Sequence, residues 1–133
     1  MELEWEKNVI KEILFGDFSN KHRDYIKIEN PSDLNRTLSD QLAVYNATYP
    51  KTMNLVFFTD AIYHCTKICR ILKTPRGNAL LIGVGGSGRG SLTRLAGHIR
   101  GYSTFTIEIT KSYKEPAWKD DLRKLLKLAG SKD

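Results

Sequence analysis

The sequence predicts an α/β fold in which helices come first and a βαβα series with parallel strands comes after them. Three observations lead to it. Residues 78–82 form a short apolar run and residues 104–109 alternate apolar with polar, two signatures of β-strands. Each is followed by a stretch of helical periodicity. A glycine-rich loop fills the first strand-to-helix junction. Strand, loop, helix, strand, helix is the opening of a parallel sheet wound with helices. Two parallel strands make a poor sheet alone, so an unpaired edge and a tendency to self-associate are expected of the isolated chain.

Taken in order, residues 1–14 read as a helix with Leu3, Val9, Ile10, Ile13 and Leu14 as its apolar positions, and Phe15-Gly-Asp-Phe18 reads as a turn. Ser32 or Asp33 stands near the cap of a helix over about 32–47, whose stripe is Leu34, Leu38, Leu42 and Tyr45. Tyr49-Pro50 ends it. A longer helix is expected over about 53–73, with Leu55, Phe58, Ile62, Cys65, Cys69 and Leu72 at helical spacing, and Thr74-Pro-Arg-Gly77 breaks it. Asp60, which ends the apolar stretch Leu55-Val-Phe-Phe-Thr-Asp60, is read as a residue of this helix and not as a strand-end acid. After the strand at 78–82 and the loop comes a helix over about 88–100. Beyond the strand at 104–109, Trp118, Leu122, Leu125, Leu126 and Ala129 mark a last helix that Gly130 stops.

The 133 residues suit one domain at most, and an apolar content of 41% is ordinary for a globular chain. No apolar run approaches the roughly 20 residues that span a bilayer. The acidic, mixed N-terminus lacks the pattern of a signal peptide, so a cytoplasmic setting without membrane contact is expected. Cys65 and Cys69 lie on one helix face and read as buried reduced thiols. His64 reads as an ordinary histidine and Glu108 as a solvated or interface residue. Lys119, Arg123, Lys124 and Lys127, interleaved with Asp120 and Asp121, read as a solvated helix face. Charge is uneven: residues 51–133 hold fifteen Lys/Arg against six Asp/Glu. That surplus alone is poor support for nucleic acid and suits a phosphate site or an acidic neighbour equally well.

The chemistry lies in Gly83-Val-Gly-Gly-Ser-Gly-Arg-Gly-Ser91. A phosphate loop reads G-x-x-x-x-G-K-[ST], and Gly83 and Gly88 keep its spacing. Glycines let successive backbone N–H groups turn toward a phosphate, and a helix N-terminus adds positive potential. Gly83, Val84, Gly85, Gly86, Ser87, Gly88, Arg89, Gly90 and Ser91 are therefore the candidate nucleotide-binding residues. Arg89 replaces the lysine, exchanging a compact ammonium for a planar fork. Gly90 replaces the Mg²⁺-ligating hydroxyl, and Ser91 comes one residue late, turned by about 100° on the helix. The residues favour weak binding of ATP or ADP with impaired metal handling over the other reading, a loop that has lost its ligand. Hydrolysis by this chain alone is not expected, because no later strand ends in the acidic residue that holds Mg²⁺, and neither a catalytic nor a metal-ligating residue is identified.

At these residues the chain resembles the dynein heavy chains, in particular the start of the fourth AAA module of the axonemal, inner-arm-like type. Met53-Asn-Leu-Val-Phe-Phe-Thr-Asp-Ala-Ile62 and Ile68-Cys-Arg-Ile-Leu72 resemble the helix leading into that module. Arg76-Gly-Asn-Ala-Leu-Leu-Ile-Gly-Val-Gly-Gly-Ser-Gly-Arg89 resembles its strand and phosphate loop, and Ser91-Leu-Thr-Arg-Leu-Ala96 the helix after it. Glu108-Ile-Thr-Lys111, Trp118 and Asp121-Leu122 are similar to the family's next segment. Gly16-Asp-Phe18 and Tyr45-Asn46 resemble the stretch joining the third module to the fourth. Arg89 is similar to several inner-arm members, whereas Gly90 departs from them, glutamine being usual there.

The resemblance implies a partial P-loop AAA-type module: residues 1–50 as a helical lead-in from the preceding module and 51–133 as the module's N-terminal part. It implies a piece of a microtubule motor working in the cytoskeleton of the ciliary axoneme, with a regulatory nucleotide site. The implied partners are the other modules of the heavy chain and, through the full-length motor, intermediate chains, light chains and microtubules. Because Met1 falls inside the family pattern, a partial product, short isoform or decayed gene copy is expected. A non-enzymatic interaction domain that keeps the AAA fold without the nucleotide is the other reading.

Overall fold

The computed structural model describes residues 14–18 and 22–130. They fall into two compact units that divide between Ser103 and Thr104. The helix expected over residues 1–14 lies outside the described residues except at its end, and there the outcome is a strand. Leu14–Gly16 is β1, paired antiparallel with β2, Ile26–Ile28, in the register Leu14↔Ile28, Phe15↔Lys27 and Gly16↔Ile26. The pairing partner lies ten or more residues away, so local periodicity gave no sign of it, and Phe15-Gly16 belongs to the strand while the bend begins at Asp17.

Helix α1 spans Pro31–Thr48, with proline in its first turn, where a missing N–H costs nothing. Its cap is Asn30, one position before the helix, whose side chain accepts from the Ser32 N–H at 3.0 Å. Leu34, Leu38 and Tyr45 are buried and Leu42 is half-buried, the stripe that the spacing predicts.

Residues 53–58 carry no helix, with Phe58 extended ahead of the helix start, and α2 covers only Thr59–Lys73. Two asparagines of α1 explain the change. Asn46 makes both bonds to Met53, donating Nδ2 to its carbonyl at 2.9 Å and accepting its N–H at 2.7 Å. Asn35 donates Nδ2 to the Phe57 carbonyl at 2.8 Å. These side chains take backbone groups that a helix would have used, and strap the segment along α1 with Met53 and Phe57 buried. Asp60 is in the first turn of α2, as expected.

Helix α2 buries Ala61, Ile62, Cys65, Ile68 and Cys69, and it packs against β1, α1 and α3. It ends where the Thr74 N–H reaches the Arg70 and Ile71 carbonyls. The chain then turns with Arg76 in the left-handed region at φ 58°. A Cβ on Gly77 would lie 1.9 Å from the Ile71 carbonyl oxygen, so only glycine fits. Helix α3, Arg89–Ile99, buries Leu92, Leu95, Ala96 and Ile99, an i, i+3, i+4, i+7 face.

Residues 104–130 form the second unit. Its one regular element is α4, Glu115–Gly130, of which no residue is buried. The basic side of α4 is a solvated face: Glu115 pairs with Lys119 at 2.7 Å, Asp121 with Lys124 at 3.1 Å, and Asp120 with Arg123.

The expected parallel strands do not form here. Residues 78–82 and 104–109 carry no strand, and among the described residues the only sheet is the β1–β2 pair. The apolar runs are real, but a parallel ladder is a long-range structure that no local run can specify, and it needs flanking strands. Residues 78–84 remain free of strand pairing, with Leu80, Ile82 and Val84 at 87%, 85% and 79% exposure.

Candidate functional site: the glycine loop

The loop at 83–91 stands where the chain passes from the unpaired 78–82 segment into α3. Its bend is made at residues 84–87, where the Ser87 N–H points to the Val84 carbonyl at 3.4 Å and Gly86 takes φ 80°. That φ belongs to the third position of a type II turn, which favours glycine. Gly88 comes next but one, at φ 78°, and is the N-cap residue of α3. Added Cβ atoms at Gly85 or Gly86 would meet nothing within 4 Å, so the bend is open to solvent.

The N-terminus of α3 is exposed chemistry. No side chain caps it and its first turn holds no acidic residue, while the Leu92 N–H makes the first bond back to the Gly88 carbonyl at 2.8 Å. The preceding amides are the orphan donors of a helix start, and the helix dipole adds positive potential there. Gly88, Arg89, Gly90 and Ser91 are thus brought together at one anion-favouring end, with Gly85, Gly86 and Ser87 in the adjoining bend.

Arg89 does not point out into that end. Its guanidinium folds back under the loop, donating Nη2 to the Val84 carbonyl at 3.0 Å and Nη1 toward the Leu81 carbonyl at 3.4 Å. A Cβ on Gly83 would lie 3.4 Å from Arg89 Cδ and 3.5 Å from Nε, so the side chain passes close over that glycine. Ser87 Oγ crowds the same spot at 3.3 Å.

Mg²⁺ does not fit the donor set at this helix start. Gly90 supplies no side-chain oxygen, and Ser91, inside α3, accepts from Arg94 Nη2 at 3.4 Å. Among the described residues no three His, Cys, Asp or Glu side chains gather as a metal site.

Two neighbours were not legible as site residues. Leu55, held by the 53–57 strap, places Cδ2 3.9 Å from where a Cβ on Gly88 would stand. Reading 53–58 as helix hid that approach. Arg94 places Nη1 4.0 Å from a Cβ on Gly90, and its buried Nε has no partner among the described residues. Its i+4 spacing from Gly90 was the available signal.

A second charged cluster lies at the other end of α3. Asp17, 4% exposed, accepts from Arg100 at 2.7 Å and from Lys73 at 2.9 Å. Burial alone would push its carboxyl up, and the hydrogen bonds from Lys73 and Arg100 outweigh that and hold it below the usual range. Cys65 and Cys69 are buried and unbridged, and the hydrogen bond between them, followed by burial, pushes the Cys69 thiol far up. Both are inert core residues. His64 and Glu108 are exposed.

The family described as P-loop containing dynein motor region D4 matches residues 53–133. Dynein axonemal heavy chain 6 of Homo sapiens is 47% identical over 128 residues, covering 92% of this chain and 3% of its own length. Dynein axonemal heavy chain 1 of Homo sapiens is 43% identical over 121 residues, 89% of this chain and 3% of its own. Dynein axonemal heavy chain 5 of Rattus norvegicus is 49% identical over 107 residues, 80% and 3%. The chain thus spans about 3% of the length of these curated relatives. With a glycine loop opening α3 inside the matched region, the chain belongs to the family of the P-loop containing dynein motor region D4, and over most of its length it is similar to axonemal dynein heavy chains.

Proposed function

We propose that this chain serves as part of the fourth AAA module of an axonemal dynein heavy chain, and that its loop 83–91 holds the phosphates of ATP or ADP weakly and without need of Mg²⁺. The uncapped, acid-free N-terminus of α3 behind two positive-φ glycines carries this reading, because those are the features that attract a phosphate. In the longer chain the 78–84 backbone takes its place in a parallel sheet, which covers Leu80 and Ile82. The module then contributes to microtubule-based movement of the axoneme. Its partners are the neighbouring modules and, through the whole motor, intermediate chains, light chains and microtubules.

Titration calorimetry of the chain with ATP and with ADP, with and without Mg²⁺, tests the site. Weak binding is expected, changing by less than about tenfold on adding Mg²⁺, a difference of about 1.4 kcal/mol. A larger Mg²⁺ effect refutes the reading of Gly90, and absence of binding favours the interaction-domain alternative. Gly90→Ser has room, since its Cβ meets only Arg94 Nη1 at 4.0 Å. It is expected to create Mg²⁺ dependence where the parent chain has none. Phosphate release by either protein is expected to stay at background.

A further inference from the structure

We infer that Arg89 is a latch on the loop, bracing it when no nucleotide is present and competing with phosphate for its own guanidinium; this rests on the loop being a nucleotide site. A lysine ammonium gathers its three N–H donors on one nitrogen at the end of a flexible stem, whereas the planar guanidinium offers two nitrogens in a fixed fork, one for each of two carbonyls. Arg89 does so, reaching Leu81 before the loop and Val84 within it, at 3.4 and 3.0 Å. Val84 is the anchor of the bend, because its carbonyl also faces the Ser87 N–H at 3.4 Å. No other side-chain hydrogen bond is found to the backbone of residues 81–88 among the described residues, and the space around Gly85 and Gly86 is open. Gly83 adjoins the device, since a Cβ there would come into contact with the Arg89 side chain, 3.4 Å from Cδ.

Charge makes the latch matter. A hydrogen bond from an ionised donor is stronger than a neutral one, so the latch holds the bend in one shape without a ligand. A phosphate in the loop seeks the same cation. Turning the fork toward it breaks the bond to Val84 and releases the bend. The latched state therefore lowers apparent affinity by the fraction of time the fork is free: closed nine times in ten, it weakens binding about tenfold. Arg89→Lys keeps the charge, gives up the double contact and removes this handicap.

Hydrogen exchange of the Ser87 amide, whose N–H faces the Val84 carbonyl, is compared without nucleotide among the parent chain, Arg89→Lys and Arg89→Ala, with exchange in α2 as the control for intact folding. Faster exchange in both variants, by about tenfold, is expected if a charged hydrogen bond holds the bend. Unchanged exchange overturns the latch whatever the nucleotide does. ATP titration of Arg89→Lys then reads the competition, and binding about tenfold tighter than the parent is expected. Equal or weaker binding overturns the competition, making Arg89 an ordinary phosphate contact or a brace alone. If neither protein binds ATP, the nucleotide reading fails and the competition with it, while the exchange result still decides the brace.

Discussion

Helix α3 buries Leu92, Leu95, Ala96 and Ile99 against α1 and α2, whereas α4 buries nothing, although Trp118, Leu122, Leu125 and Leu126 recur along it at helical spacing. In α4, Leu126 is 70% exposed, while Leu95 is fully covered. Both segments are helices, so periodicity and propensity suffice to set the local structure. Only α3 has found cover. Ion pairs three and four residues apart line α4 instead, and such pairs support a helix locally without burying anything. The apolar face of a helix is therefore a statement about what it can bury, and the neighbours decide whether it does.

The sharpest way to break the contrast is to truncate one leucine on each helix. Leu95→Ala is expected to destabilise the chain by about 2–5 kcal/mol through lost burial and the cavity left behind. Leu126→Ala is expected to stay within about 0.5 kcal/mol. Urea denaturation read by circular dichroism checks both, and similar losses at the two sites would erase the distinction.

Next in size is the far end of α3, where its covering depends on charge. Asp17→Asn removes the negative charge that faces Arg100, whose Nε is already buried without a partner, and is expected to cost about 2–4 kcal/mol, the exposure of Lys73 softening the loss. The pH dependence has a definite sign. The folded carboxyl lies below its ordinary value, so its contribution is fully present above the unfolded carboxylate value of about 3.9 and is lost as pH falls through the lowered folded value. The stability gap between parent and Asp17→Asn is thus expected to be constant near neutrality and to shrink only in strong acid. A gap that widens on acidification would contradict the assigned direction.

A smaller effect sharpens the boundary between α2 and the loop segment. Gly77→Ala forces a Cβ against the Ile71 carbonyl and is expected to cost about 1–3 kcal/mol. Gly85→Ala, with nothing nearby to strike, is expected to change stability by less than about 0.5 kcal/mol. Thermal unfolding of the two variants side by side measures the difference.

The sequence by itself determined the parts whose causes are local. The stripe Leu34, Leu38, Leu42 and Tyr45 fixed α1, the i, i+3, i+4, i+7 apolar set fixed α3, and the spacing of Gly83 and Gly88 placed a bend ahead of a helix. Flanking residues on both sides of the loop were specific enough to give the family. Tertiary structure alone decided the rest. Leu14–Gly16 became a strand because Ile26–Ile28 pairs with it, and 53–58 stayed out of the helix because Asn35 and Asn46 hold its backbone. Residues 78–82 stayed unpaired because a parallel ladder depends on strands brought from elsewhere. Arg89 read as a cation for phosphate, and where its fork rests was set by two carbonyls, at Leu81 and Val84, whose directions exist only once the loop has bent.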